Sequence, residues 1–226
     1  MYELGFNPTN GDRQLFLDDR GIQHRENLER TIHRPVKKGA VIRPQLGIDP
    51  PCLQIRSAPI WDPERECFRF WGGGSVRESD DGLNWSIVAP YSGPPLVVYD
   101  RDDPDPKRRY KSFSPGQRSV SPDGDTWNTL ELPPVPSADE HNFSFDEGNR
   151  LFIATVKHAG PHGRAVWLST SEDFDTWTEP ELMFHADEVD QLMGHERIRE
   201  RFSDPNLASP YFDFPPFYNV DIYNMA

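Results

Sequence analysis

The chain has only 2 cysteines among its 226 residues, Cys52 and Cys67. Two are too few for a disulfide framework, and neither sits in a CxxC or paired Cys/His spacing, which excludes the usual zinc sites. Both are expected as buried free thiols. Apolar runs are scarce as well. Hydrophobic residues make up 35% of the chain, and no run approaches the roughly 20 residues of a membrane helix, so no membrane partner is expected. Met1 to Asp12 lack the apolar core of a secretory signal, which leaves a cytoplasmic location as the default. Basic charge falls short too: 24 Lys and Arg against 37 Asp and Glu give a net charge of −13. That balance argues against nucleic acid as the main partner, because phosphate binding wants clustered cations. Nucleophile elbow, phosphate-cradling loop and dinucleotide fingerprint are all missing. Gly72-Gly73-Gly74 follows Trp71 but leads into no helix. Neither a cofactor nor a metal is therefore expected. Asp102-Asp103-Pro104-Asp105-Pro106 has a faint calcium-loop look, but alternating prolines spoil a ligand loop and it reads as a solvated hairpin.

Aromatic residues, at 12% with 6 Trp and 14 Phe, are plentiful enough to make global disorder untenable. The 23 Pro and 16 Gly are spread along the chain and cut it into short apolar runs. Helical periodicity is missing almost everywhere, so the reading is all-β. Three segments share the pattern S-x-D-[GF]-x-x-W: Ser79 to Trp85, Ser121 to Trp127 and Ser171 to Trp177. Ahead of each stands an aromatic-Asp pair, Trp61-Asp62, Tyr99-Asp100 and Phe145-Asp146, which ends one strand and opens a turn into the next. In such turns Asp accepts backbone N–H bonds, Gly supplies a positive φ, and Trp folds back on the strands.

One unit thus reads strand, Asp-led turn, strand, strand, S-x-D turn, strand, at a period of 40 to 50 residues. That is the signature of a β-propeller blade; a two-sheet sandwich is the competing architecture. Residues 1–49 form a lead-in to a partial propeller domain over 50–226. Its blades are expected at about 50–92, 93–135 and 136–185. A helical insertion follows at 187–210, and the inner strand of a fourth blade at 217–226. The helix proper is expected at 187–202, capped by Asp187, with Val189, Leu192, Met193, Ile198 and Phe202 packing against the sheets. Three blades and a strand do not close a ring, which predicts a fragment of a longer domain or an oligomer formed through the open edge.

Arg13 to Asp19, Thr31-Ile32-His33-Arg34-Pro35, Arg109-Tyr110-Lys111, Trp167 to Phe174 and Tyr218 to Met225 carry a resemblance. The sequence resembles the five-bladed β-propeller glycosidases, the group of invertase-like and arabinanase-like enzymes, and a bacterial branch within it. The resemblance implies a hydrolase acting on glycosyl bonds, a carbohydrate substrate, and an acidic triad on the inner strands of successive blades. The resemblance implies that this chain is the N-terminal half of such a domain. It departs from the family at the first blade, where the W-x-N-D-P type signature is missing; Trp61-Asp62-Pro63 belongs to the turn pattern instead.

Aligning the aromatic-Asp marks places Tyr223-Asn224 over Phe145-Asp146. Asp221 then stands where the other blades carry apolar residues, on one strand face with Asn219 and Tyr223, whose aligned residues in blade three are His141 and Phe145. Asp139-Glu140-His141-Asn142 is the other dense polar cluster, and Lys157-His158 reaches the same rim. Asp221 and Asp139 are the candidate catalytic carboxylates; His141, Asn219, Glu140 and Lys157 are candidate substrate binders. The alternative is a non-catalytic propeller that binds carbohydrate or protein.

Overall fold

The computed structural model describes residue 19, residues 22–47 and residues 58–204. The chain divides into two units, Met1–Gly39 and Ala40–Ala226. In the first, the described residues form no regular element. Among the described residues the second holds three four-stranded antiparallel sheets and one α-helix, so the all-β expectation holds, with three sheets rather than the two of a sandwich.

The first sheet runs in chain order through β1 (Ile60–Asp62), β2 (Cys67–Gly72), β3 (Ser75–Ser79) and β4 (Ser86–Pro90). The second contains β5 (Val97–Tyr99), β6 (Tyr110–Ser114), β7 (Gln117–Ser121) and β8 (Asn128–Leu130). The third contains β9 (His141–Asp146), β10 (Leu151–Gly160), β11 (Gly163–Ser171) and β12 (Glu181–Phe184). First strands of successive sheets are neighbours: β1 lies beside β5, and β5 beside β9. Both outermost strands with a bulge, β4 and β12, break register against β3 and β11, which blunts those edges against further strand pairing.

The three S-x-D segments fold into the same turn. Asp81 Oδ1 accepts the backbone N–H of Leu83 and Asn84, each at 2.8 Å. Asp123 Oδ1 takes those of Asp125 and Thr126 at 2.9 and 2.8 Å, and Asp173 Oδ1 those of Asp175 and Thr176 at 2.9 and 2.7 Å. Each indole N–H donates to the carbonyl at the turn's fourth residue: Gly82 at 3.0 Å, Gly124 at 3.1 Å and Phe174 at 2.8 Å. That fourth residue is left-handed throughout, with φ of 71°, 75° and 70°, a region glycine enters freely and phenylalanine only under strain.

The sheets stack through aromatic side chains. Trp71, Val76, Val97, Tyr99 and Tyr110 fill the space between the first and second sheets. Phe113, Val120, Phe143, Phe152 and Phe174 fill that between the second and third. The helix α1 (Glu188–Ser203) begins at an Asp187 capping box, as its sequence leads one to expect. Its stripe does not pack as expected: Val189, Leu192 and Met193 are 60%, 66% and 48% exposed. Glu196 and Glu200 interrupt the apolar face after two turns, too early for a helix to bury against a sheet.

Candidate functional site

Two polar constellations occupy opposite ends of the sheets. At the end with the aromatic-Asp turns, carboxylates are buried and tied to cations. Asp62 and Asp100 are almost completely enclosed. Tyr110 donates its hydroxyl to Asp62 Oδ2 at 2.6 Å, and Arg69 reaches the same oxygen at 3.5 Å. Burial, and after it the bond to Asp62, pushes the Tyr110 hydroxyl far above its ordinary pKa. Arg69 also donates to Asp125 Oδ1 at 3.0 Å and to the Asp123 carbonyl at 3.0 Å, which links the first sheet to the second. Asp100 is gripped at both oxygens by Arg150 of the third sheet, at 2.6 and 3.1 Å, and by Lys111 at 3.1 Å. Burial alone would raise the Asp100 pKa; the bonds from Arg150 and Lys111 outweigh it and leave the carboxyl below its ordinary value. Both carboxylates of this network are paired with cations inside the protein, so it serves as scaffold rather than as a place for substrate.

The opposite end gathers the residues that the sequence singles out around position 140. Lys157 lies near the far end of β10, with its side chain 6% exposed. Its Nζ pairs with Asp139 Oδ1 in close contact and with Glu140 Oε2 at 3.7 Å. The loop that carries both acids is stitched to β10. Ala138 donates its N–H to the Lys157 carbonyl at 2.8 Å, and Lys157 its own to Ser137 Oγ at 3.2 Å. His158 Nε2 meets the Pro136 carbonyl at 2.8 Å, while its ring stands edge-on to Trp167 at 5.6 Å. The bond from Lys157 holds the Asp139 carboxyl below its ordinary pKa. Because both acids share one ammonium, they stand no farther apart than the about 10 Å that paired-carboxylate glycoside chemistry uses.

His141 opens β9 opposite Val156. Its ring stands edge-on to Phe113 at 6.2 Å, on the strand face turned toward the second sheet. Asp221 and Asn219, with the strand expected around them, lie outside the described residues, as does Cys52. Cys67 is buried, and that burial raises its thiol. Among the described residues no group of three or more His, Cys, Asp or Glu is placed to hold a metal ion. The segment 102–106 bends into a single 3-10 turn over Pro106–Arg108. Its Asp103 is committed to Lys111, at 2.6 Å.

Sequence reasoning missed four buried cations. Arg69, Arg77, Lys111 and Arg118 are each 2% exposed or less, in strands where a charged residue reads as solvent-facing. For Arg69 and Lys111 a signal was present, since an Asp of the preceding turn stands seven and eleven residues upstream. No family model matches this chain, and neither does any curated protein.

Proposed function

We propose that the chain is part of a β-propeller glycoside hydrolase, with its chemistry at the end of the third sheet where Lys157 stands. Support for the propeller is the stacking of three sheets in chain order, first strand beside first strand. Support for the site is a single observation: Asp139 and Glu140 share the buried ammonium of Lys157. Ion pairing keeps Asp139 ionised, which suits the carboxylate that attacks the anomeric carbon or activates water. Glu140, outside the closer of the two contacts, is the proton donor to the leaving oxygen. Lys157 is a positioning residue, and His141 offers its imidazole to a sugar hydroxyl. The substrate is a carbohydrate.

A non-catalytic carbohydrate- or protein-binding propeller is favoured by one observation, the 76% exposure of the Asp139 side chain, as in an ordinary surface ion pair. The test is turnover by the full chain on a panel of aryl glycosides and polysaccharides. Asp139→Asn and Glu140→Gln are expected to lower the rate by about 10² to 10⁴ with the fold intact by circular dichroism. Glycan binding without turnover by the parent protein overturns the hydrolase in favour of the binding module.

A further inference from the structure

We infer that Arg118 is the binding site of a small monovalent anion, chloride in size and charge, held between the second and third sheets. The inference goes beyond the hydrolase reading and does not rest on it. Arg118 stands on β7, with Phe113 of β6 and Leu130 of β8 as its strand partners. Partners across an antiparallel ladder share a face, and Val120, two residues on, shares it too. Phe113 and Val120 belong to the apolar layer between the second and third sheets, and Leu130 packs against it. The guanidinium therefore lies inside that layer, in a residue only 1% exposed.

Other buried cations of the sheets stand against acids. Arg69 meets Asp62 and Asp125, Lys111 meets Asp100 and Asp103, and Lys157 meets Asp139 and Glu140. Arg118 differs: among the described residues no carboxylate stands in ion-pair contact with it. Its hydrogen bond runs from Nη2 to the Pro133 carbonyl, while Nε and Nη1, both buried, have no partner. Asp175 acts on it by charge, but that carboxylate is bonded to Arg108 at 2.6 Å. Burial holds the guanidinium below its ordinary pKa, yet arginine does not give up its proton in a protein. A positive charge is thus enclosed without a counter-charge, a costly way to bury a polar group.

A water molecule on this guanidinium accepts an N–H and leaves the charge uncompensated; an anion does both. A guanidinium donates along two edges, and each edge here offers an orphaned nitrogen, Nε on one and Nη1 on the other. An anion on either edge takes charge-assisted bonds, which are stronger than those to a neutral acceptor. The surroundings set its size. Phe113, Val120 and Val135 are each buried in the same layer. Val135 donates its N–H to the Pro115 carbonyl at 2.8 Å. With the bond from Arg118 to Pro133, this fastens the chain between β8 and β9 across the guanidinium. A layer closed in this way favours a compact ion, and one positive charge is matched by one negative charge.

Thermal unfolding of the full chain, with chloride exchanged for gluconate at constant ionic strength, tests this. Gluconate is too bulky to follow chloride into the layer, and constant ionic strength removes general screening. The melting temperature should rise by about 3 to 5 °C for each tenfold increase in chloride above the dissociation constant. Arg118→Met keeps a long unbranched side chain without the charge and should abolish this dependence. In crystals grown with bromide in place of chloride, an anomalous peak is expected against the Arg118 guanidinium. Equal melting temperatures in chloride and gluconate overturn the inference. So does a chloride dependence that Arg118→Met retains. If that variant does not fold, the bromide crystals decide: a peak at Arg118 supports the site, and water at the guanidinium overturns it.

Discussion

At the scale of single residues, Phe174 sets backbone strain against packing. It holds φ at 70° where Gly82 and Gly124 hold 71° and 75°. A left-handed non-glycine residue costs about 1 to 2 kcal/mol. In return its ring is completely buried against Phe152 at 5.3 Å and Phe143 at 5.8 Å, and removing such a ring costs about 3 to 5 kcal/mol. Packing wins, so Phe174→Gly is expected to destabilise by about 2 to 3 kcal/mol in urea unfolding. A stabilised variant would show that strain dominates. Gly124→Ala should also destabilise, for a different reason. An added Cβ would stand 2.8 Å from Trp71 Cζ2 at a φ of +75°, and overpacking costs about 1 to 3 kcal/mol. The turn aspartates are structural in the same sense. Burial opposes the charge on Asp123, but the amides of Thr126 and Asp125 and the Ser121 hydroxyl hold its carboxyl below the ordinary range. Asp123→Ala should lower stability by about 1 to 2 kcal/mol without altering ligand affinity, which a binding titration beside a melting curve will separate.

At the scale of elements, the capping box of α1 is a local device on a helix whose apolar side chains stay exposed. Asp187→Ala removes the acceptor for Val189 and Asp190 N–H, at 2.8 and 3.0 Å, at a cost of about 1 kcal/mol. Amide exchange should quicken over the first turn of α1, with the sheet amides unchanged. An equal acceleration in β9 to β11 would mean that the helix is coupled to the core. This contrast marks what the sequence could tell. Turns and caps were legible, because Asp, Gly and Trp within six residues of one another specify their own hydrogen bonds. The meeting of Asp139, Glu140 and Lys157 was legible as a shared rim, because strand register carries Lys157 back beside the loop that precedes β9. The depth of the buried cations was not: the turn Asp upstream marks Arg69 and Lys111 for ion pairing, but only the neighbouring sheet, brought in from 40 or more residues away, decides that they are enclosed. The exposure of Val189 and Leu192 was missed for a similar reason, since a short apolar stripe does not say whether a surface stands ready to receive it.

For the molecule as a whole, the second and third sheets are clamped by a carboxylate that must stay charged. Asp100 is 2% exposed and holds Arg150 and Lys111. Its pKa lies below the ordinary 3.8 because those two cations outweigh the cost of burial. A carboxyl whose pKa is depressed on folding binds its proton more readily in the unfolded chain. Its stabilisation is therefore complete above the unfolded value, near 3.9, and disappears as pH falls through the lower folded value. Asp123 and Asp173 are shifted the same way by their turn amides, so the acid limbs add. Between pH 7 and 5 a different effect operates, because partial protonation relieves the self-repulsion of a chain at net −13. The melting temperature should thus hold or rise slightly from pH 7 to about 5 and fall steeply below about 4. In Asp100→Asn the half-exposed Arg150 loses its two-oxygen partner and the buried Lys111 keeps only Asp103 as counter-charge, which costs about 1 to 3 kcal/mol at neutral pH. Its acid limb should be correspondingly shallower, because one titrating group has been removed. A scanning calorimetry series from pH 3 to 7 on both proteins decides the matter: parallel acid limbs would mean that Asp100 does not drive the loss, and that the turn carboxylates carry it.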